Sequence, residues 1–347
     1  MAEPLLDIRG LKTHFATDDG MVRAVDGVDL TINRGETVGI VGESGCGKTV
    51  TAMTVLKLIA MPPGRIVEGQ ILWRGRDLVP LNADGMRKIR SKEIGIIFQE
   101  PMTSLNPVYT VGDQIAEVIR LHDGLGRKDA MDKAAEMLRL VNIPTPERRV
   151  HDYPHQFSGG MRQRVAIALA LALNPKLVIA DEPVTALDVI VQRQILDQLR
   201  ELQTMLGISV ILVTHDISVV AYVCDRTVVM YAGRVAEAGA MEATLTRPAH
   251  PYTMGLRNAF PDLQGAASGT LTPIEGAPPN LADPPPGCRF APRCPFVLEI
   301  CTKTSPVLSD ISPDHAVACH RAGEAAVLRE RAARVETWMT ETGMTEA

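Results

Sequence analysis

Three short stretches of this sequence bring together the residue types that phosphate chemistry needs. The first reads GESGCGKT over residues 42–49 and follows an apolar run, residues 37–41, that predicts a strand. Glycine lets backbone N–H groups turn inward around a phosphate, the ammonium group of Lys48 suits the β- and γ-phosphates, and the Thr49 hydroxyl suits Mg²⁺. The stretch therefore predicts a phosphate loop that uses Gly42, Ser44, Gly45, Cys46, Gly47, Lys48 and Thr49.

The second stretch is a pair of carboxylates at the end of the apolar run 177–180. Open α/β sheets bind their ligands at the carboxyl ends of strands, which is where Asp181 and Glu182 would emerge. We expect Asp181 to hold Mg²⁺ through water and Glu182 to be the catalytic base that orients the attacking water. His215 follows the next apolar strand, residues 210–214, from where it could bridge the γ-phosphate to that carboxylate.

The third stretch reads FSGGMRQR over residues 157–164, between the other two. Ser158, Gly159 and Gly160 precede a helix that we expect to begin near Met161. Their N–H groups would form a second anion site at the positive end of that helix. Two phosphate sites on one chain favour dimerisation.

The elements that must position these stretches alternate between strands and helices. Residues 1–98 are rich in predicted strands and residues 165–245 alternate strands with helices, so together they predict one split α/β core that carries the phosphate loop. The insertion, residues 99–164, has apolar residues at helical spacing over 111–121 and 129–140. We therefore predict a helical subdomain that carries the Ser-Gly-Gly element.

A C-terminal extension, residues 246–347, is rich in proline, which ends regular structure and predicts an extended wrap. It contains four clustered cysteines, Cys288, Cys294, Cys301 and Cys319. In a cytosolic protein such thiols more often hold a metal or a cluster than form disulfides. A [4Fe–4S] cluster is our main interpretation, zinc is less favoured because the gaps lack paired C-x-x-C spacing, and unligated thiols are the third alternative.

Composition restricts the function classes. The formal net charge of −5, with charges interspersed, argues against a surface dedicated to nucleic acid. The longest uninterrupted apolar stretch, residues 165–173, is about half of a membrane span, so we expect no bilayer crossing by this chain alone. The first six residues lack the basic and apolar regions of a secretory signal, and we therefore expect a cytoplasmic location.

In order and spacing, the phosphate loop, the Ser-Gly-Gly element and the carboxylate pair resemble the nucleotide-binding subunit of an ATP-binding cassette (ABC) transporter. The Ser-Gly-Gly element departs from the common L-S-G-G-Q form at Phe157 and Met161, which we interpret as a subfamily mark. Four longer stretches are similar to the D-type ATPase of the dipeptide and oligopeptide importers, namely residues 98–107, 153–164, 250–253 and 287–295. The resemblance extends to about residue 320.

The fold class that this resemblance implies is α/β. It is a P-loop NTPase core of the ABC ATPase type with an inserted helical subdomain, an antiparallel β portion and a Pro/Cys-rich C-terminal extension. The four cysteines are implied to bind an iron–sulphur cluster.

The resemblance also implies roles for residues about which spacing alone says little. Gln99 matches the glutamine that senses Mg²⁺ and the attacking water, so Mg²⁺ would be shared by Thr49, Gln99 and Asp181. His215 matches the switch histidine, and Phe15 matches the aromatic residue that stacks on adenine.

Two further elements are implied to act across a dimer. The Ser-Gly-Gly element of one subunit would cap the γ-phosphate bound by the other, so that two ATP molecules lie between the subunits. The loop 186–188, with Asp188, matches the segment that communicates across the interface.

The implied partners are two membrane permeases, a second ATPase of the F type forming a heterodimer, and an extracytoplasmic peptide-binding protein. The chain would lie peripherally on the cytoplasmic face of the membrane, with residues 100–107 contacting a permease helix. Nickel and glutathione importers share much of this pattern, so they remain alternatives for the substrate. A cassette ATPase that acts on DNA or ribosomes, and a non-catalytic partner subunit, are alternatives from other classes.

Overall fold

Each sequence motif lies where a strand ends or a helix begins. The structure, a computed structural model, describes residues 3–100, 104–185, 187–259 and 272–339. In these residues the strands are β1 (Leu6–Thr17), β2 (Gly20–Ile32), β3 (Thr37–Val41), β4 (Gly64–Trp73), β5 (Arg76–Asp77), β6 (Ile94–Ile97), β7 (Leu177–Asp181), β8 (Ser209–Thr214), β9 (Arg226–Tyr231), β10 (Arg234–Ala240), β11 (Ser309–Ser312) and β12 (His315–Val317). The helices are α1 (Lys48–Val55), α2 (Ala83–Arg87), α3 (Val111–Asp123), α4 (Arg127–Leu140), α5 (Pro146–Arg149), α6 (Gly159–Leu171), α7 (Val189–Leu206), α8 (Ile217–Val223), α9 (Met241–Thr246), α10 (Pro251–Asn258), α11 (Glu299–Lys303) and α12 (Ala325–Ala332).

The chain divides into two compact units, and each unit contains some of the motifs. The first unit contains the carboxylate pair and the Ser-Gly-Gly element, and the second contains the phosphate loop and the four cysteines. The first consists of Met1–Leu5, Ile32–Thr37 and Pro80–Val213, and the second of Leu6–Thr31, Val38–Val79 and Thr214–Ala347.

In the first unit, β6, β7 and β8 are parallel neighbours, with Ile94 opposite Leu177 and Leu177 opposite Ser209. All residues of β7 and β8 are buried, as expected for parallel strands covered on both faces. Parallel strands end at the same edge of a sheet. Gln99, which follows β6, and Asp181, which ends β7, therefore lie at the same edge.

Helices α3 to α6 lie between β6 and β7 in the chain and form the predicted helical insertion. The helix α3 begins after Thr110, whose hydroxyl accepts a backbone hydrogen bond, and ends at Gly124 in the left-handed conformation with φ 70°. The helices predicted over 111–121 and 129–140 are confirmed by α3 and α4. The buried face of α3 consists of Val111, Gly112, Ile115, Ala116 and Ile119.

In the second unit, β3 pairs with β9 in parallel. The antiparallel pairs of the same sheet are β9 with β10, β10 with β12, and β12 with β11. A separate sheet has the order β2-β1-β4-β5, with Leu6 of β1 opposite Trp73 of the antiparallel β4. This sheet is the antiparallel β portion that the sequence predicts. The strand β3 is buried throughout and leads directly into the phosphate loop and α1.

The C-terminal extension contains more regular structure than its prolines predict. The helix α10 begins at Pro251, and the hairpin β11–β12 adds to β10, with Ala316 opposite Ala238. The hairpin satisfies backbone groups that would otherwise lie unpaired along β10. The expectation of an extended wrap is therefore wrong for these elements. Residues 272–290 contain neither helix nor strand.

Among the described helices the longest, α7, has 18 residues and is amphipathic. No helix in the described part of the chain has the length and apolar character needed to cross a bilayer.

Candidate functional site

The phosphate loop joins β3 to α1, and glycine is required at two of its positions. Gly42 has φ 156°, and a Cβ there would lie 2.2 Å from the carbonyl oxygen of Met230. Gly47, the N-cap of α1, has φ 102°, and its Cβ would lie 2.3 Å from the carbonyl oxygen of Ala24. Both positions therefore exclude larger residues, because the loop backbone packs directly against the backbone of β9 and β2.

Lys48 lies across this loop. Its side chain is buried, and its ammonium group donates hydrogen bonds to the carbonyl oxygens of Gly42 (2.7 Å) and Glu43 (2.9 Å). These bonds hold a positive charge beside the loop backbone, where it can interact with phosphate oxygens. Thr49 follows at an exposed position. Burial raises the pKa of the Cys46 thiol, so this loop side chain stays neutral.

Phe15 and His215 also belong to the second unit. Phe15 is half-buried opposite Gly64, and its ring lies so close that a Cβ on Gly64 would meet Cε1 at 2.8 Å. His215 is exposed directly after β8, and the next residue, Asp216, caps α8 by accepting a hydrogen bond from the N–H of Ser218 (2.8 Å). Both side chains reach solvent, and their roles toward adenine and the γ-phosphate remain predictions.

The carboxylate pair lies at the end of β7 in the first unit. Asp181 is buried, whereas Glu182 has φ 46°, a left-handed conformation that costs about 1–2 kcal/mol for a residue with a Cβ. The N–H of Glu182 donates to the carbonyl oxygen of Val213 (2.8 Å), and Oε2 accepts hydrogen bonds from Gln99 Nε2 (3.0 Å) and Thr185 Oγ1 (3.0 Å). The structure thus brings two predicted catalytic residues, Gln99 and Glu182, into direct contact.

Thr185 is a member of this group that the motifs did not predict. Its N–H donates to the carbonyl oxygen of Glu182 (3.2 Å), so the two residues form a turn that carries the hydroxyl back to the carboxylate. The sequence signal that could have identified Thr185 is its position three residues after Glu182. Ser and Thr at this spacing often form a hydrogen bond to the earlier residue across a turn.

The helix α6 begins at Gly159, two residues before the predicted start near Met161, so the Ser-Gly-Gly element forms its N-cap and the beginning of its first turn and does not precede the helix. Ser158 is the N-cap, and its hydroxyl accepts a hydrogen bond from the N–H of Met161 (3.3 Å). Gly160 packs so tightly that a Cβ would lie 2.7 Å from Val191 Cγ1, in the first turn of α7. Asp188 caps α7 by accepting a hydrogen bond from the N–H of Val191 (3.0 Å). The first unit therefore joins the two elements predicted to act across a dimer; Ala186 lies outside the described residues.

Two backbone hydrogen bonds involve cysteines of the extension. The N–H of Cys288 donates to the carbonyl oxygen of Cys301 (2.7 Å), and the N–H of Arg321 donates to Cys319 Sγ (3.4 Å). Burial raises the pKa of Cys288, and it raises the pKa of Cys294 to about 12 and that of Cys319 to about 11. Burial therefore favours the neutral thiol at each of these three positions.

These thiols do not form a site for a single metal ion. Within the ranges that the structure describes, no group of three or more His, Cys, Asp or Glu residues is arranged to hold one. Neither the predicted zinc site nor the predicted [4Fe–4S] cluster therefore has support from the ligand geometry.

Comparison with protein families matches two parts of the chain. Residues 25–185 match the family described as ABC transporter, and residues 236–301 match the family described as oligopeptide/dipeptide transporter, C-terminal region. The first match contains the phosphate loop, the Ser-Gly-Gly element and the carboxylate pair, and the second contains three of the four cysteines.

Relatives of similar length match nearly the whole chain. A probable peptide ABC transporter ATP-binding protein, y4tR of Sinorhizobium fredii, is 49% identical over 93% of this chain and 96% of that protein. The oligopeptide transport ATP-binding protein OppD of Bacillus subtilis is 50% identical over 90% of this chain and 87% of its own length. The dipeptide transport ATP-binding protein DppD of the same organism is 48% identical over 91% of this chain and 94% of its own.

Solved structures match the cassette part of the chain. The dimeric ATP-binding cassette MJ0796 bound to ADP and phosphate aligns with a TM-score of 0.61 and 29% identity, covering 68% of this chain and 98% of that one. CbiO1 of Clostridium perfringens, part of the ABC transporter complex cbiONQ, aligns with a TM-score of 0.60 and 28% identity, covering 71% of this chain and 92% of that one.

Proposed function

Because the chain belongs to the ATP-binding subunits of peptide-importing ABC transporters, we propose which of its residues bind ATP, hydrolyse it and couple hydrolysis to import. The predicted family and the ABC ATPase fold are confirmed. The chain is an ATP hydrolase coupled to transport, and its reaction uses ATP and Mg²⁺. The observation that carries the proposed mechanism is the hydrogen-bonded carboxylate of Glu182 at the end of a buried strand.

The phosphate loop is the proposed ATP site. Its glycines let backbone N–H groups surround the phosphates, and Lys48 supplies the charge that binds the β- and γ-phosphates. We assign Phe15 to the adenine ring. Thr49, Gln99 and Asp181 are the oxygen-bearing side chains that we assign to Mg²⁺, a hard cation with a preference for oxygen.

Glu182 is the proposed catalytic base. The amide of Gln99 and the hydroxyl of Thr185 both donate to Oε2, and the left-handed backbone turns the carboxylate away from the strand direction. Such bonds restrict the rotation of the carboxylate, which then orients a water molecule for in-line attack on the γ-phosphate. His215 is assigned to the γ-phosphate.

The Ser-Gly-Gly element is proposed to act on the nucleotide of a second subunit. The N-terminus of the 13-residue helix α6 directs its dipole and backbone N–H groups outward from Ser158 and Gly160. We assign this end to the γ-phosphate bound by the partner, and Asp188 to communication across the interface. Support comes from the contact of Gly160 with the helix that Asp188 caps.

The proposed assembly contains two permeases, a second ATPase of the F type and an extracytoplasmic peptide-binding protein. The chain lies peripherally at the cytoplasmic face of the membrane, and residues 100–107 contact a permease helix. Of that segment, residues 101–103 lie outside the described residues. We retain the functional division into a core (1–98 and 165–245), a helical subdomain (99–164) and the C-terminal extension.

We also propose that the four cysteines bind a [4Fe–4S] cluster. Support comes from the backbone hydrogen bond that joins Cys288 to Cys301 (2.7 Å) and from the N–H of Arg321, which donates to Cys319 Sγ (3.4 Å). Hydrogen bonds to sulphur are typical of such clusters. The cluster would supply a structural brace for the extension.

Metal analysis of the full chain, purified without oxygen, tests this assignment. We expect about four irons and four acid-labile sulphides per chain, in keeping with the cluster type. Cys294→Ser should lose them and lower the thermal midpoint of unfolding, whereas the matched control Cys224→Ser, another buried thiol, should keep the iron. Stoichiometric zinc, or wild-type chain without iron, would contradict the assignment.

The proposed cargo is di- and oligopeptides, as the names of the relatives indicate. The test is uptake of labelled dipeptide, tripeptide, glutathione and nickel by host cells that lack this chain. Peptide uptake should be abolished and then restored by the wild-type gene, but not by the Glu182→Gln form. Loss of nickel or glutathione uptake alone would assign the chain to the alternative importers.

A further inference from the structure

Arg293 connects the C-terminal extension to the phosphate loop. It lies in the short 3₁₀ helix Ala291–Arg293, immediately before Cys294, and its side chain is only 6% exposed. The guanidinium group forms a two-pronged ion pair with Glu43, the second residue of the loop, with Nη1–Oε2 2.7 Å and Nη2–Oε1 3.1 Å. This parallel geometry is the strongest form of an arginine–carboxylate contact.

The other donors of Arg293 fix its position. Nη1 also donates to the Tyr231 hydroxyl (3.2 Å), Nη2 to the carbonyl oxygen of Ile274 (3.1 Å), and Nε to that of Glu275 (3.0 Å). With the two bonds to Glu43, all five N–H donors of the guanidinium are engaged. Arg293 is therefore fixed in position by partners within this chain.

Glu43 connects Arg293 to other parts of the phosphate loop through its backbone. Its N–H donates to the Tyr252 hydroxyl (2.8 Å), and its carbonyl oxygen accepts a hydrogen bond from the ammonium group of Lys48 (2.9 Å). The side chain, N–H and carbonyl group of Glu43 thus all have partners, and one of those partners is the lysine assigned to the phosphates. A shift of Glu43 would displace a carbonyl group that positions Lys48.

A second arginine of the extension supports the loop from another side. Arg289, which follows Cys288, is buried and donates to Asp26 and to the carbonyl oxygen of Ala232. The next residue of that turn, Gly233, donates its N–H to the carbonyl oxygen of Cys46 in the loop (2.9 Å). The segment 288–294 therefore reaches the phosphate loop directly through Arg293 and indirectly through Arg289.

We propose that Arg293 and Arg289 are positioning residues that hold the phosphate loop in its nucleotide-binding conformation, so that ATP affinity depends on the C-terminal extension. The inference rests on the proposed nucleotide site. Breaking a buried ion pair leaves an uncompensated charge, and the loop would move to hydrate it. The segment acts through Glu43 and the 232–233 turn, and neither arginine touches the nucleotide in this account.

The test compares ATP affinity of the purified full-length chain and its variants Arg293→Gln, Glu43→Gln and the double variant, using a fluorescent ATP analogue. Charge alone predicts opposite effects, because Arg293→Gln removes a positive charge near the phosphates and Glu43→Gln removes a negative one. Positioning predicts that both single variants raise the Kd about tenfold and that the double variant also raises it about tenfold, since residues of one network are not additive.

The saturated rate of hydrolysis separates positioning from catalysis. We expect each variant to raise KM about as much as the Kd and to lower kcat much less than Lys48→Ala does, because Lys48 is displaced but still present. Arg293→Lys keeps the positive charge but cannot form two parallel hydrogen bonds to Glu43, so its ATP affinity should lie between that of Arg293→Gln and that of the wild type. Tighter binding by Glu43→Gln, or a double variant with wild-type affinity, would overturn the proposal.

Arg331→Ala is the matched control. Arg331 lies in the same extension and packs 5.1 Å over the ring of Phe296, a contact outside the phosphate loop. We expect it to lower the thermal midpoint and leave the Kd for ATP unchanged; an equal loss of affinity would overturn the proposal. Should Arg293→Gln fail to fold, Glu43→Gln alone decides by the sign of its effect.

Lys48→Ala separates failure of this inference from failure of the nucleotide site. If Lys48→Ala loses ATP binding while Arg293→Gln and Glu43→Gln retain it, the positioning role is wrong and the site stands. If Lys48→Ala binds ATP like the wild type, the site assignment fails and takes the inference with it.

Discussion

Replacement of Glu182 with glutamine is expected to lower steady-state ATP hydrolysis about 10³-fold, the middle of the range for loss of a general base. The amide keeps the size of the side chain and can still bond to Gln99 or Thr185, so the fold of the turn should survive. It cannot accept a proton from the attacking water or polarise it as a carboxylate does. ATP affinity should therefore stay within about threefold of wild type, because Glu182 is assigned to the reaction and not to binding.

Single-turnover hydrolysis and equilibrium ATP binding, measured on the same preparations, check this result. Glu201→Gln, an exposed carboxylate on α7, is the control with the same chemical change and should hydrolyse ATP normally. Hydrolysis by Glu182→Gln at a near-wild-type rate would remove Glu182 from the catalytic role.

Replacement of Lys48 with alanine should act on binding itself and raise the Kd for ATP about 100-fold, the value expected when charge-assisted hydrogen bonds to phosphate are lost. The variant also removes the bonds that the ammonium group makes to Gly42 and Glu43, so the loop loses an internal restraint. Both effects weaken affinity. Saturating ATP should then restore only part of the hydrolysis rate, since the γ-phosphate is no longer neutralised in the transition state.

Isothermal titration of the variant with ATP and Mg²⁺ measures this effect. Lys128→Ala, an exposed lysine on α4, is the matched control and should bind like the wild type. Unchanged affinity in Lys48→Ala would mean that the phosphate loop is not the ATP site.

The strand ends and helix starts of the site could be predicted because local chemistry determines them. An apolar run followed by glycines predicted β3 and the loop, and an apolar run followed by two acids predicted β7. The contact between Gln99 and Glu182 was not predicted, because it depends on the parallel pairing of β6 with β7 across the helical insertion. Helical spacing predicted α3 and α4 within a few residues of their observed bounds.

The contacts that the sequence could not predict join residues far apart in the chain. Arg293 and Glu43 are 250 residues apart, and no periodicity links them. The left-handed conformation of Glu182 was not predicted either, and the N–H of this residue bonds to Val213, which is 31 residues farther along the chain. Cysteine spacing identified a cluster of thiols but does not define the distances between their sulphur atoms, which decide what they can bind.

The measurement that tests the central claim most directly is affinity purification of tagged Glu182→Gln chain from solubilised host membranes in the presence of ATP. The variant should bind ATP without hydrolysing it and so hold the assembly closed. The account predicts recovery of two permeases, a second cassette ATPase and a peptide-binding protein, with recovery reduced when Lys48→Ala is added. Recovery of only nucleic-acid-associated proteins, or of the same partners without any dependence on ATP, would contradict it.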